Sequence, residues 1–236
     1  MSQSTAQRRV MLISNSYCFG RGYLEHCAAA IRSFLGTLTH VAFVPYALQD
    51  WDRYTATVRE TLGKLGIDVI GVHNFRPLKL AQAQAVFVGG GNTFRLLHTL
   101  YTMNSLSVIR EAVGSGVPYI GASAGANLAG PTIKTTNDMP IVQPPSFDAL
   151  GIVPFQINPH FIDADPSSKH MGETREKRIA EFHEEPENSA MVIGIREGSW
   201  ITVEGSVATL FGTTGAKIFI QGEASREWDG GHLTVE

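Results

Sequence analysis

The chain has 236 residues, of which 43% are hydrophobic and 17% are charged. This composition provides enough apolar side chains for a full hydrophobic core, and it argues against long disordered stretches. The formal net charge of −3 also argues against a nucleic-acid-binding protein, which usually carries an excess of basic residues on one face.

Cysteine content and hydropathy restrict the compartment and the cofactors. Cys18 and Cys27 are too few for a disulfide framework, and no Cys/His cluster in the sequence has the spacing of a zinc site. The N-terminus lacks the long apolar region of a signal peptide, and no apolar run approaches the ~20 residues that a membrane helix needs. These features predict a cytoplasmic protein without a metal and without contact with membranes.

The first half of the chain alternates short β-branched runs with longer helical stretches. The apolar runs predict strands at residues 10–14, 41–44, 68–72, 85–88 and 117–121. Amphipathic periodicity and capping residues predict helices at 23–35, 50–65, 92–101, 105–114 and 124–129. Strands that are apolar throughout are buried on both faces, and helices between them imply right-handed crossovers and a parallel sheet.

The second half begins with a charged helix, predicted at 173–185, and then changes to a series of short strands. These strands are predicted at 190–195, 200–203, 207–211, 217–221 and 232–235. We interpret them as antiparallel strands that extend one edge of the sheet. No linker or repeat divides the chain, so residues 1–236 are predicted to form a single domain. Its predicted class is α/β, with three α/β/α layers and a mostly parallel sheet.

The sharpest local motif is Gly121-Ala-Ser-Ala-Gly125, between a predicted buried strand and a predicted helix. Gly-x-Ser-x-Gly in this context is typical of a nucleophile elbow, in which the glycines allow a tight turn that presents the serine hydroxyl to the cleft. The helix directs its N-terminal amides and the positive end of its dipole to the same place. Small residues here can also serve close packing, but the context favours Ser123 as a nucleophile.

A nucleophilic serine needs a base, and the base needs an acid to orient it. His160 is the best candidate base because it follows an apolar, strand-like run at the functional edge of the sheet. The alternative for His160 is a structural, hydrogen-bonded histidine. Two acids compete for the third position: Glu197, at a tight junction after a predicted strand, and Asp138, soon after the nucleophile helix. The residues alone do not choose between these two acids.

The glycine run Gly89-Gly-Gly91 follows the strand predicted at 85–88. Such a loop can bring a backbone N–H, here that of Gly90, against a developing oxyanion, with the Ala124 N–H as its partner. A phosphate-binding turn is the alternative. It is disfavoured because neither of the two common nucleotide-binding glycine motifs is completed in this sequence.

Taken together, these segments resemble the peptidase E, or α-aspartyl dipeptidase, family. The resemblance is carried by motifs spread along the chain: Val88-Gly-Gly-Gly-Asn-Thr-Phe94, Gly121-Ala-Ser-Ala-Gly-Ala-Asn127, Thr135-Thr-Asn-Asp-Met-Pro-Ile141, Gln156-Ile-Asn-Pro-His-Phe161 and Gly172-Glu-Thr-Arg-Glu176. It implies hydrolysis of dipeptides with an N-terminal aspartate, without a metal or an organic cofactor. It also implies a sheet related to the class I glutamine amidotransferase-like, or flavodoxin-like, fold.

The resemblance further implies roles for single residues. Ser123 matches the nucleophile of the family and His160 matches its base. Glu197 matches the acid in the structural view of the family, whereas Asp138 matches an aspartate long assigned to the relay. We favour Glu197 as the residue that orients the base, and we expect Asp138 to bind the free amine of the substrate.

The expected substrate sets requirements for the rest of the pocket. An N-terminal aspartate carries a carboxylate and an ammonium group, so its pocket should pair a cation with an anion. Arg175 is our candidate for the carboxylate, with a surface helix arginine that makes ion pairs as the alternative. Asn92 is expected to add hydrogen bonds beside the glycine loop. Small Asp-X dipeptides are the expected partners, and a monomer is expected.

Two other functions fit parts of the same pattern. A relative that acts on aspartyl polymers, as cyanophycinases do with a similar serine motif, would need a cleft that is open at both ends. A non-catalytic ligand-binding module could use the same sheet, although the presence of the serine, the histidine and the acid in suitable contexts argues against it. A glutamine amidotransferase is disfavoured because no cysteine occupies the elbow.

Overall fold

The computed structural model describes residues 7–74, 80, 83–169 and 171–235. Its strands are β1 (Arg9–Ile13), β2 (His40–Val44), β3 (Asp68–Gly71), β4 (Ala85–Val88), β5 (Tyr119–Ala122), β6 (Gln156–Phe161), β7 (Val192–Arg196), β8 (Ser199–Glu204), β9 (Val207–Gly212), β10 (Ala216–Phe219), β11 (Arg226–Trp228) and β12 (Gly231–Thr234). Its α-helices are α1 (Ala28–Leu35), α2 (Trp51–Gly63), α3 (Thr93–Thr102), α4 (Leu106–Gly114), α5 (Ala124–Leu128) and α6 (Arg175–Phe182).

The larger of two sheets has eight strands in the order β12-β9-β8-β1-β5-β4-β2-β3. The five strands from β1 to β3 in this order pair in parallel, and β8, β9 and β12 add antiparallel pairs at the β1 edge. The predicted α/β class, with a mostly parallel sheet and an antiparallel extension, is therefore confirmed. The parallel strands β4 and β5 are buried at every position, because helices cover both faces.

Alternate residues of the central strand β1 face two separate apolar layers. Met11 and Ile13 belong to a cluster with side chains of α1 and α2. Val10 and Leu12 belong to the other cluster, which contains side chains of α3, α4 and α5. This alternation follows from the two-residue period of a strand, and it gives the sheet a helical layer on each side.

The second half of the chain departs from the prediction in one respect. We predicted that all five of its strands extend the large sheet, but the strands at 190–195 and 217–221 do not. They correspond to β7 and β10, which form a second sheet in the order β11-β10-β7-β6. β7 pairs in parallel with β6 and is buried at four of its five positions. β8 follows β7 directly in the chain but pairs with β1 and β9 in the large sheet, so neighbours in sequence lie in different sheets.

Two predicted helices begin later in the structure because of the local backbone conformation at their N-termini. Instead of one helix at 23–35, a 3₁₀ turn at Glu25–Cys27 precedes α1, and Leu24 has a positive φ of 55°. The helix predicted at 173–185 begins only after Thr174, whose hydroxyl accepts a hydrogen bond from the Lys177 N–H at 3.1 Å. This is a normal N-cap, and it fixes the start of α6.

Within the described part of the chain, no helix is both long enough and apolar enough to cross a membrane. The carboxyl ends of β1, β4 and β5 lie side by side in the large sheet. Residues 14–16, 89–92 and 121–125 therefore converge on one edge, which is the usual location of a ligand site in an open α/β sheet.

Candidate active site

Ser123 occupies the sharp turn between β5 and α5. Its backbone has φ 53° and ψ −112°, a conformation that non-glycine residues rarely adopt and that costs about 1–3 kcal/mol. The turn closes only because its neighbours lack side chains: a Cβ on Gly121 would collide with the Gly125 carbonyl, and a Cβ on Gly125 would collide with the Val88 carbonyl. The sequence motif thus forms a strained elbow that holds the serine at the edge of the sheet.

His160 and Glu197 form a hydrogen-bonded chain with this serine. The Nε2 atom of His160 lies 2.9 Å from Ser123 Oγ, and its Nδ1 atom lies 2.6 Å from Glu197 Oε1. His160 stands on a bulge in β6 with a positive φ of 54°, and Glu197 follows the end of β7. A serine, histidine and carboxylate in this order is the arrangement that activates a serine nucleophile. The structure therefore brings together the predicted serine, the predicted base and one of the two predicted acids.

The two amides predicted for an oxyanion hole also lie beside Ser123. Gly90 approaches so closely that a Cβ on it would be 2.9 Å from the Ser123 Cβ, and it lines the same cavity as Ser123. Ala124 is the first residue of α5, so its N–H has no acceptor four residues earlier in a helix. Both residues thus lie beside Ser123, and the role of their amides as oxyanion donors stays a prediction.

A cavity of about 700 Å³ opens above Ser123. One wall is aromatic, with Tyr23 and Tyr54 buried and their hydroxyl oxygens 3.2 Å apart. Burial raises the pKa of Tyr54 to about 12 and raises that of Tyr23 well above its usual range, so both phenols stay neutral at pH 7. The walls contain the hydrogen-bonded serine, histidine and glutamate, three tyrosine rings, and the ionic side chains of Asp50 and Arg53. The lining residues are Ser16, Tyr17, Tyr23, Leu48, Asp50, Arg53, Tyr54, Thr57, Gly90, Gly91, Ser123, His160 and Glu197.

Asp50 and Arg53 are cavity residues that sequence reasoning missed. Both lie at the start of α2, where Asp50 Oδ1 accepts a hydrogen bond from the Arg53 N–H at 3.0 Å. Both side chains are exposed. The signal that could have found them is the position of α2 directly after β2, because the carboxyl end of β2 lies at the same edge of the sheet as Ser123.

The predicted substrate-binding residues Asn92 and Asp138 lie together beside the glycine loop but do not line the cavity. Asn92 caps α3 through Oδ1 and donates from Nδ2 to the Met139 carbonyl at 2.9 Å. Asp138 Oδ2 accepts from both the N–H and the hydroxyl of Thr93, at 2.7 and 2.6 Å. Both side chains are thus engaged within the protein, and a contact with substrate stays a prediction for each.

Arg175, the predicted carboxylate-binding residue, lines a different cavity of about 360 Å³. This second cavity begins at Ile162, close after His160 in the chain, and it also contains Arg178. Arg175 is partly buried, and burial together with the neighbouring Arg178 lowers its pKa. Because Arg175 lines the second cavity and Ser123 lines the first, the structure does not bring Arg175 into contact with Ser123.

In the described residues, no group of three or more His, Cys, Asp or Glu side chains could hold a metal ion.

Comparison with known proteins finds relatives that align with nearly the whole chain. The sequence is 56% identical over 220 residues to a protein named Peptidase E from Streptomyces coelicolor, which covers 92% of this chain and 90% of that protein. It is 49% identical over 220 residues to a protein from Drosophila melanogaster named Probable alpha-aspartyl dipeptidase, with 90% of each chain covered.

Solved structures share the fold. A putative Peptidase E protein from Listeria monocytogenes EGD-e superposes with a TM-score of 0.66 at 24% identity, covering 88% of this chain and 99% of that chain. A peptidase from an acI-B1 Actinobacterium superposes with a TM-score of 0.69 at 17% identity, covering 98% of each chain. A family model described as Peptidase family S51 matches residues 10–211. With this match and relatives at 49–56% identity, the chain belongs to peptidase family S51.

Proposed function

We propose that this chain is a serine dipeptidase that hydrolyses dipeptides with an N-terminal aspartate. The observation that carries the proposal is the hydrogen-bonded chain from Ser123 through His160 to Glu197 at the mouth of one cavity. The substrate class is supported by the relative named Probable alpha-aspartyl dipeptidase, which is 49% identical to this chain. A cavity of about 700 Å³ is in the size range that encloses a small organic ligand.

The proposed reaction proceeds through an acyl-enzyme. Ser123 Oγ attacks the peptide carbonyl carbon while His160 Nε2 takes the hydroxyl proton, and the carbonyl oxygen becomes an oxyanion that accepts hydrogen bonds from the Gly90 and Ala124 amides. His160 then gives its proton to the leaving amine, and the C–N bond breaks. Glu197 accepts the Nδ1–H bond throughout, which fixes the tautomer and stabilises the imidazolium. Water attacks the resulting ester by the same steps in reverse.

The first test compares a panel of substrates. The wild-type protein is expected to release free aspartate from Asp-Leu, and to turn over acetyl-Asp-Leu at least about 100-fold less efficiently, because acetylation removes the ammonium group that the pocket should pair. Glu-Leu keeps both charged groups and differs by one methylene, so a loss of roughly 10–200-fold is expected for it. Free amino acids are measured by chromatography. Preference for a longer Asp-containing peptide would favour a hydrolase of aspartyl polymers, and no turnover of any peptide would contradict the dipeptidase proposal.

We expect Arg175 to bind the side-chain carboxylate of the substrate's aspartate. Among the described residues, no ion pair or hydrogen bond joins its guanidinium to an acid, although the side chain is partly buried. An unpaired cation that has lost part of its hydration is costly, and a carboxylate ligand would offset that cost. Arg53, by contrast, is exposed to solvent on the wall of the catalytic cavity. The two arginines therefore form a matched pair for a test of which one binds the substrate carboxylate.

We expect Arg175→Gln to lower kcat/KM for Asp-Leu by roughly 10–100-fold, the usual effect of losing a hydrogen-bonded partner of a charge. Arg53→Gln is expected to change the same quantity by less than about threefold, since a hydrated cation contributes little. Both variants are assayed by steady-state kinetics, after circular dichroism has established that they fold. A larger loss in Arg53→Gln than in Arg175→Gln would assign carboxylate recognition to the start of α2 instead.

We also infer that the chain acts as one peptidase domain in the cytoplasm and as a monomer. The single-domain proposal is supported by the site, since Ser123 follows a strand of the large sheet whereas His160 stands on a strand of the second sheet. Cys18 and Cys27 form no disulfide, which is compatible with a reducing compartment. Sedimentation equilibrium of the purified protein tests the monomer.

A further inference from the structure

Residues 13–15, at the carboxyl end of β1, bind the backbone of Ser123, of His160 and of the residue next to Glu197. The Ile13 carbonyl accepts a hydrogen bond from the Ser123 N–H at 2.9 Å. The Ser14 hydroxyl accepts one from the His160 N–H at 2.9 Å. The Asn15 Oδ1 atom accepts one from the N–H of Gly198, the residue directly after Glu197, at 2.8 Å. Three consecutive residues thus bind the nucleophile, the base and the turn that carries the acid.

Ser14 joins the two sheets at this point. Its hydroxyl donates to the Ile195 carbonyl of β7 at 2.7 Å, so an oxygen lone pair is left to accept from the His160 N–H. The side chain is fully buried. His160 needs such an anchor, because its positive φ on the β6 bulge is a strained conformation that the surroundings must hold in place.

Asn15 anchors the backbone next to Glu197, as Ser14 anchors that of His160. Its Nδ2 group donates to the Tyr17 carbonyl at 2.6 Å, which turns Oδ1 towards the Gly198 N–H. Asn15 is buried, whereas the Glu197 side chain is 55% exposed. The Thr214 hydroxyl adds a bond to the Glu197 carbonyl at 2.6 Å. The acid is therefore held mainly through its backbone.

We propose that Ser14 and Asn15 are positioning residues that hold Ser123, His160 and Glu197 at the distances their hydrogen-bonded chain requires. The proposal rests on the serine mechanism proposed above. The three catalytic groups come from separate elements in two sheets, and the end of β1 is a common template for them. A misplacement of about 1 Å in such a chain can cost about 100-fold in rate. Neither Ser14 nor Asn15 lines the catalytic cavity, so substrate binding should change little.

The test uses Ser14→Ala and Asn15→Leu. Each is expected to lower kcat for Asp-Leu by about 10–100-fold with KM changed less than about twofold. Each should also slow, by a similar factor, the reaction of Ser123 with a fluorophosphonate probe, in which the serine oxygen displaces fluoride and its proton passes to His160. The probe reaction does not depend on the dipeptide. A wild type that reacts with the probe but cleaves no dipeptide would refute the substrate proposal and leave this inference testable.

A spectroscopic readout separates positioning from general stability. In wild type, the His160 Nδ1–H bonded to Glu197 should give a strongly deshielded proton resonance, assigned by its loss in His160→Gln. Asn15→Leu should abolish this resonance, because it removes both the acceptor for the Gly198 N–H and the donor to the Tyr17 carbonyl. Ser14→Ala should abolish it as well, because the His160 N–H loses its acceptor. Ser105→Ala is the matched control, because it removes another buried serine hydroxyl that bonds a backbone carbonyl, far along the chain at the start of α4.

The controls determine what each result means. Ser105→Ala should lower the melting temperature and leave kcat and the probe rate unchanged. Variants of Ser14 or Asn15 that lower only the melting temperature, as Ser105→Ala does, would overturn the proposal. All assays are run below the lowest melting temperature in the series. If Asn15→Leu does not fold, Ser14→Ala decides: a folded Ser14→Ala variant that keeps the wild-type kcat, probe rate and resonance would contradict the proposed role.

Discussion

Ser123→Ala is expected to lower kcat for Asp-Leu by roughly 10⁴–10⁶-fold, because it removes the atom that forms the acyl-enzyme. The change leaves His160 and Glu197 in place, and it removes the oxygen that lies 2.9 Å from His160 Nε2. Steady-state release of leucine measures the loss, and mass spectrometry should show probe adducts in wild type and none in the variant. Turnover within about tenfold of wild type would exclude Ser123 as the nucleophile.

The strained elbow supplies a second readout for the same position. At φ 53° and ψ −112° an alanine is strained as the serine is, whereas a glycine is not. Ser123→Gly should therefore be inactive and yet more stable than Ser123→Ala by about 1 kcal/mol, after allowance for the greater freedom of glycine in the unfolded chain. Thermal unfolding of the two variants measures the difference. A glycine variant less stable than the alanine variant would mean that the turn is not strained.

The parallel half of the fold could be predicted from the sequence because its signals are local. The strand at Ala85–Val88 was predicted with the bounds that the structure gives it. An apolar β-branched run between helical stretches leaves few alternatives, since both faces must be covered. The same locality made Ser123 a candidate nucleophile, because strand, glycines and helix are contiguous in the chain.

What the sequence did not determine depends on contacts between distant residues. β7 and β8 are separated by the short turn at Glu197, yet they lie in different sheets. Strand pairing partners are chosen by burial and crossover geometry rather than by order in the chain, so the second sheet was not foreseen. For the same reason Asp50 and Arg53 were missed, and the two candidate acids could not be ranked from composition.

The choice between the two acids rests on their partners. Glu197 Oε1 lies 2.6 Å from His160 Nδ1, whereas Asp138 Oδ2 accepts two hydrogen bonds from Thr93 at the start of α3. A carboxylate at a helix N-terminus satisfies free amides and the helix dipole, so it stabilises the fold. Glu197→Gln and Asp138→Asn are therefore matched substitutions: each replaces one carboxylate with its amide and keeps the shape of the side chain.

Glu197→Gln is expected to lower kcat by about 10²–10⁴-fold with little change in melting temperature, because an amide in that place cannot stabilise the imidazolium and can favour the wrong tautomer. Asp138→Asn should lower the melting temperature and leave most of kcat, since an amide oxygen can still accept from Thr93 although the charge is lost. Steady-state kinetics and thermal unfolding on the two variants separate the roles. A near wild-type rate in Glu197→Gln, together with a collapse of kcat in Asp138→Asn, would transfer the catalytic role to Asp138. That result would also require the loop around Asp138 to move from its place beside α3 before the reaction, because in this structure Asp138 lies outside the walls of the catalytic cavity.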